Sequence, residues 1–314
     1  MAKAGIVGVG LIGRAWANVF ARGGYDVALW DANPEALAGA PDLIRASLED
    51  LAEHGLVSDP RAASGRVRAA TSLADAIDGA EIVQESGPER LDVKIEVFRE
   101  LDAAAADTTI LASSSSAIVA SKFSEDLAGR ARCLIAHPVN PPHVVPIVEL
   151  CGAPWTDPDI IARARKIYDA VGQVPVEVKK EVDGFILNRM QAVLLAEAFR
   201  LISGGYVTAA DLDKTIKDGL GRRWAFMGPI ETIELNAPEG IADYCARYGE
   251  TLHGLSKEEV TADLFSSDTI NAVADSWGPK PQSDEVQDKS VWRDKRLAAL
   301  DAHLRRSKGY SGKD

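Results

Sequence analysis

The first half of the chain alternates short, almost unbroken apolar runs with longer stretches in which apolar residues recur every three or four positions. The runs fall at residues 4–7, 27–30, 81–83, 109–112, 132–136 and 174–178. Helical spacing occupies residues 11–22, 73–77, 94–105 and 159–171. Strands apolar on both faces, separated by helices, predict a mostly parallel sheet covered on both sides. Residues 34–64 read as a helical insertion between the second and third strands, with Leu37, Leu43, Ile44, Leu48 and Leu51 as apolar points. Pro41 is expected to interrupt it, because proline lacks the helix N–H and crowds the preceding turn.

The character changes after about residue 180. Residues 185–202 read as a long amphipathic helix ending at Gly204-Gly205, where glycine suits a helix C-cap. Thr208 is placed to cap a further helix over 209–217. Leu212, Ile216 and Leu220 give that region an apolar stripe. Residues 230–235, 240–248 and 291–304 have the same periodicity, and no strand pattern occurs there. The polar tail, 307–314, reads as loose.

Gly8-Val9-Gly10-Leu11-Ile12-Gly13 follows the first strand and opens the first helix. In that context G-x-G-x-x-G is a phosphate loop. Gly8 permits the tight turn, Gly10 admits a pyrophosphate to the main chain, and Gly13 lets helix and strand approach. The peptide N–H groups of Leu11 and Ile12 open the helix, whose positive end suits the phosphates. Asp31 ends the second strand, 18 residues beyond Gly13. A carboxylate there accepts from ribose hydroxyls and repels a 2′-phosphate, so the cofactor expected is NAD rather than NADP. The fold class is therefore α/β. A Rossmann-type doubly wound sheet with a helical insertion spans 1–183, and an all-helical domain for substrate and dimerisation spans 184–314.

Composition narrows the setting. The 314 residues are 46% hydrophobic and carry a formal net charge of -12. That balance disfavours nucleic acid and anionic membrane surfaces as partners. The glycines and Arg14 break the apolar N-terminus, so it does not read as a signal peptide. No apolar stretch approaches membrane-helix length. Cys133, Cys151 and Cys245 are an odd number without metal-site spacing, which points to a reducing, cytoplasmic compartment and no metal.

Oxidation of an alcohol by hydride transfer needs a base, and histidine suits that task near neutral pH. Of the five histidines, His54, His253 and His303 lie in polar helical surroundings. His143 sits in the proline-rich loop 138–146, whereas His137 ends an apolar strand. The carboxyl end of a strand is where open α/β sheets bind ligands. Glu149, within Ile147-Val148-Glu149-Leu150, either faces water or is buried against a cation. If bound to His137 it would fix the imidazole tautomer. Ser113 to Ser116 close a strand and offer hydroxyls at the same edge. Asn188, in the first turn after Gly184-Phe185, offers an amide at a helix N-terminus.

Taken in order, these segments resemble the 3-hydroxyacyl-CoA dehydrogenase superfamily. The match runs to about Tyr248 and includes Pro88-Glu89-Arg90-Leu91-Asp92-Val93-Lys94, His137-Pro138-Val139-Asn140-Pro141-Pro142, Val148-Glu149-Leu150 and Gly184-Phe185-Ile186-Leu187-Asn188-Arg189. The resemblance implies a catalytic group of Ser116, His137, Glu149 and Asn188, with Ser115 as the alternative serine. It also implies that Glu89, Lys94 and Asn140 bind the cofactor. Ser116 and Asn188 would touch substrate as well, and the assembly would be a homodimer. Within the superfamily the chain is similar to the lambda-crystallin branch, whose activity is L-gulonate 3-dehydrogenation. The segment Gly219-Leu220-Gly221-Arg222-Arg223-Trp224-Ala225-Phe226-Met227-Gly228-Pro229-Ile230-Glu231-Thr232, with its arginine pair, carries that likeness. A guanidinium at Arg223 would clamp the carboxylate of a small 3-hydroxy acid through paired hydrogen bonds. Alternatively, this arginine pair caps a helix end or joins an ion pair. The competing substrates are a 3-hydroxyacyl-CoA and a carnitine-type alcohol. A non-enzymatic crystallin-like or NAD(H)-binding role is a further alternative.

Overall fold

The computed structural model describes residues 2–256 and 262–307. Eight strands form one sheet: β1 (Lys3–Val7), β2 (Asp26–Trp30), β3 (Val67–Ala69), β4 (Ile82–Glu85), β5 (Ile110–Ser113), β6 (Cys133–Pro138), β7 (Ile147–Gly152) and β8 (Val174–Glu177). Their spatial order is β3-β2-β1-β4-β5-β6-β7-β8. All neighbours are parallel except β6 and β7. The chain reverses direction of travel across the sheet between β1 and β4, the switch point at which doubly wound sheets bind ligands.

The helices around the sheet are α1 (Leu11–Arg22), α2 (Pro34–Glu53), α3 (Pro60–Ser64), α4 (Leu73–Ile77), α5 (Leu91–Ala104), α6 (Ser121–Ser124) and α7 (Pro158–Ala170). Side-chain alternation along the strands divides the core into two layers. Ile82, Ile110, Ala112, Leu134 and Ala136 pack with Trp16 and Phe20 of α1, Ile44 and Leu48 of α2, and Tyr168 of α7. Val83, Leu111, Cys133, Ile135 and Cys151 pack with Ile77 of α4 and Phe98 and Leu101 of α5 on the other face.

Several elements differ from the expectation. Helix α2 runs through Pro41 rather than stopping there. Ala40, Ile44, Leu48 and Leu51 are buried on both sides of the proline, and Asn33 caps the start by accepting from Glu35 and Ala36 N–H. Packing and capping outweigh one missing hydrogen bond. Strand β4 extends through Gln84 and Glu85, both fully buried despite their polarity. Strand β3 is a three-residue edge strand without a clear apolar signal. The long helix, α8 (Leu187–Ser203), starts two residues later than expected because Phe185 adopts φ 49, a left-handed conformation that cannot continue a helix.

By compactness the chain forms two units, one of residues 1–189 with 289–306 and the other centred on Met190–Asp288. The closing helix Ser283–Arg306 thus returns to the first unit, across the boundary expected at residue 184. Ala298 lies in the first unit's core, and Arg305 donates to the Gly172 carbonyl at 3.2 Å. The described residues of the second unit are helical without strands, as expected. The helix at Ala209–Lys214 is shorter than expected and passes into a π-helical turn, Thr215–Leu220. Thr208 caps it, accepting from Asp211 N–H. Helix Ser267–Trp277 was not visible in the periodicity. This unit buries few side chains, chiefly alanines, and leaves Tyr206, Phe226, Leu235 and Leu255 exposed.

Candidate active site

The glycine loop meets each steric demand of a dinucleotide site. Gly8 has φ +94, and a Cβ there would lie 2.8 Å from the Ser86 carbonyl. A Cβ on Gly13 would lie 1.8 Å from the Gly8 oxygen. Gly10 differs, since a Cβ there would meet nothing within 4 Å. Helix α1 begins at that opening with no capping side chain and no acidic residue in its first turn. Free N–H groups facing open space beside a glycine fit a pyrophosphate. Asp31 braces the loop, accepting from Val9 N–H and Asn33 N–H at 2.8 Å each. Leu11 is exposed beside the loop.

A cavity of about 450 Å³ opens at the carboxyl edge of the sheet, lined by Ile12, Ser86, Glu89, Ser114, Ser116, His137, Asn140 and Asn188 among others. Three of the expected catalytic residues therefore share one cavity, and the fourth stands behind them. The antiparallel β6–β7 register sets His137 opposite Glu149. Opposed residues project to the same face, and His137 Nδ1 lies 2.8 Å from Glu149 Oε2. Of the two settings open to Glu149, burial beside the imidazole is the one found. Its other oxygen, Oε1, accepts from the N–H groups of Ile186 and Leu187 at 2.9 and 3.0 Å. The left-handed Phe185 aims those groups, and its ring packs on His137 with centroids 5.4 Å apart. With Nδ1 committed to the carboxylate, Nε2 is the ring nitrogen that Glu149 does not engage.

The serines separate by engagement. Ser115 Oγ is buried and donates to Glu89 Oε1 at 2.6 Å. Ser116 is exposed along the cavity, and its carbonyl accepts from Asn188 Nδ2 at 2.9 Å. Glu89 Oε1 also accepts from the N–H groups of Ser116, Ala117 and Ile118. Burial pushes the Glu89 carboxyl up, but donation from Ser115 and the backbone, with the Lys94 charge, outweighs it and holds the group below its ordinary value.

Lys94 does not line the cavity. Its ammonium is 1% exposed and lies 3.0 Å from Glu85 Oε2 and 3.6 Å from Glu89 Oε2. Ser113 Oγ completes this cluster, donating to Glu85 at 2.6 Å. Lys94 therefore reaches the site through Glu89. Arg223 belongs to the second unit, exposed on the short helix Gly221–Trp224. Its neighbour Arg222 pairs with Asp218 at 3.4 Å. Sequence reasoning did not single out Ser86, Gln84 or Glu85, and it named Ser114 only as part of the run Ser113 to Ser116. The available signal was the polar pair Gln84-Glu85 directly after an apolar strand.

Comparison with known proteins agrees with this architecture. The family model for the 3-hydroxyacyl-CoA dehydrogenase NAD-binding domain matches residues 3–182, and that for the C-terminal domain matches residues 184–292. Lambda-crystallin of Oryctolagus cuniculus is 41% identical over 303 residues, covering 94% of this chain and 95% of the relative. L-carnitine dehydrogenase of Pseudomonas aeruginosa is 32% identical over 309 residues, covering 98% and 94%. Among solved structures, an NAD+-dependent dismutase, FHMPC 5-dehydrogenase, aligns with TM-score 0.84 at 28% identity over 97% of this chain and 99% of its own. Both domain models, matched in order on a chain with an open glycine cradle, make this protein an NAD-dependent member of the 3-hydroxyacyl-CoA dehydrogenase family.

Proposed function

We propose that the protein oxidises the 3-hydroxyl of a small 3-hydroxy acid, with L-gulonate as the first candidate and 3-dehydro-L-gulonate as its product. The observation that carries the chemistry is the 2.8 Å contact between His137 Nδ1 and Glu149 Oε2 beside the cavity. Bound NAD supplies the hydride acceptor. His137 Nε2 takes the hydroxyl proton, and Glu149 holds the tautomer and stabilises the imidazolium. Ser116 and the Asn188 amide position the substrate oxygen.

The choice of a carboxylate substrate rests on Arg223 and on the resemblance of its segment to the lambda-crystallin branch. In this reading the exposed Arg223 guanidinium clamps the carboxylate. Carnitine is the second reading, favoured by the L-carnitine dehydrogenase relative. It too carries a carboxylate and a 3-hydroxyl. The test is turnover of gulonate, carnitine, 3-hydroxybutyrate and 3-hydroxybutyryl-CoA with NAD and with NADP. The reading expects gulonate with NAD to give the highest kcat/KM. A higher value for 3-hydroxybutyryl-CoA would overturn it.

The assembly we infer is a homodimer. The sparse burial in the second unit, with Tyr206, Phe226, Leu235 and Leu255 exposed, supports a second copy as cover. A sedimentation mass of one chain would reject this. Three free cysteines, two of them buried, support a reducing cytoplasmic location.

A further inference from the structure

Strand alternation sends Gln84 and Ser114 to the α1 and α7 face of the sheet, away from the Glu85–Lys94 cluster. There they form a polar chain that runs from the core to the cavity. Tyr168 Oη donates to Gln84 Oε1. Gln84 Nε2 donates to Ser114 Oγ at 2.6 Å, and Trp16 Nε1 donates to the same oxygen at 3.1 Å. Ser114 Oγ lies 2.9 Å from Ser86 Oγ. Trp16, Gln84 and Tyr168 are each fully buried.

The sense of this chain is fixed by what each group can do. An indole nitrogen only donates. Burial pushes the Tyr168 phenol well above its ordinary value, so it keeps its proton. The amide nitrogen of Gln84 also faces the Ala136 carbonyl at 3.5 Å, and a carbonyl only accepts. Gln84 therefore turns its oxygen to Tyr168 and its nitrogen to Ser114. Both lone pairs of Ser114 Oγ are taken by N–H donors, so its proton must go to Ser86 Oγ. Ser86 is left with its own proton and a place on the cavity wall.

We propose that Ser86 is a hydrogen-bond donor of fixed direction, set by the Tyr168–Gln84–Ser114 chain, that binds an acceptor oxygen of the dinucleotide. The cofactor is its partner because Ser86 abuts the glycine loop. Its N–H bonds the Val7 carbonyl at 2.7 Å, and its own carbonyl is the atom a Gly8 side chain would strike. The role does not depend on which hydroxy acid is oxidised. Pre-orientation matters because a hydroxyl already aimed loses little rotational freedom on binding.

The test is NADH affinity by cofactor fluorescence, read alongside the Trp16 indole N–H signal in a proton–nitrogen correlation spectrum, assigned with Trp16→Phe. Ser86→Ala should weaken NADH binding roughly three- to tenfold, the worth of one neutral hydrogen bond. Ser86→Thr should restore it. Tyr168→Phe, which leaves the cavity lining unchanged, should also weaken binding by freeing Gln84 to flip. NADH should move the indole signal in the unaltered protein and in Ser86→Thr, and leave it unmoved in Ser86→Ala. Unaltered NADH affinity in Ser86→Ala, or an indole signal that still responds there, would overturn the assignment.

Discussion

Glu149 serves His137 with one carboxylate oxygen and the start of α8 with the other. The imidazole is thereby tied to the helix that carries Asn188, so the ring proposed as base and the amide are held by one side chain. The consequence can be tested by changing a single atom.

In Glu149→Gln the two backbone N–H groups at Ile186 and Leu187 still require an acceptor, so the amide oxygen must face them. The amide nitrogen then faces His137 Nδ1, which becomes an acceptor and forces the ring proton onto Nε2. The base is blocked with its geometry intact. We expect kcat to fall by about 10²- to 10⁴-fold in both Glu149→Gln and His137→Ala. NADH affinity should stay within about twofold in each. Stopped-flow turnover and equilibrium titration check the two halves separately.

The loop glycines should fail in different ways. Gly13→Ala places a Cβ 1.8 Å from the Gly8 oxygen. The loop or α1 must move, so thermal stability and NADH binding should fall together. Gly10→Ala meets no protein atom within 4 Å. It should leave the melting temperature almost unchanged and weaken NADH binding at least about tenfold, since the methyl fills space meant for phosphate. Calorimetry with and without NADH separates them.

Lys94 neutralises a carboxylate that is itself 2% exposed. Lys94→Met strands that charge, and we expect a stability loss of about 3–5 kcal/mol in denaturant titration. The double change Lys94→Met with Glu85→Leu should recover much of it, because the pair is then replaced by apolar groups. A Lys94 acting only as a cofactor contact would lose NADH affinity without this stability loss.

His143 predicts a pH dependence. Burial, aided by the nearby Arg22 charge, lowers its pKa from 6.5 to about 4. The folded state therefore resists protonation that the unfolded chain accepts. Its contribution is present above pH 6.5 and is lost as pH falls from there to about 4. As pH falls from 6.5 to about 4, the melting temperature of the protein should drop relative to that of His143→Gln, which has no imidazole to protonate. A constant difference between the two curves would contradict this.

Much of the site was legible before any geometry was known. The glycine loop, Asp31 and the strand-end His137 are local signals, each with its own steric or chemical reason. The twelve-residue step from His137 to Glu149 became meaningful only as an antiparallel register. That pairing was obscured because Glu149 interrupts its own apolar run. Pro41 misled because a tertiary stripe overrode a local rule. The burial of Lys94 against Glu85 had no local signal, because it depends on how α5 packs beside the end of β4. The fixed direction of the Tyr168–Gln84–Ser114 chain was wholly invisible, since it depends on α1, α7 and the ends of β4 and β5 meeting around one hydroxyl. Strand β3 went unseen for the opposite reason, too short and too polar to register.

The return of the closing helix to the first unit has a consequence for biosynthesis. Residues 1–189 leave the ribosome early, yet Ala298 belongs to their core. The dinucleotide fold thus stays incomplete while about a hundred further residues are translated. A nascent chain stalled anywhere in that interval lacks Ala298 and leaves that flank of the core unfinished.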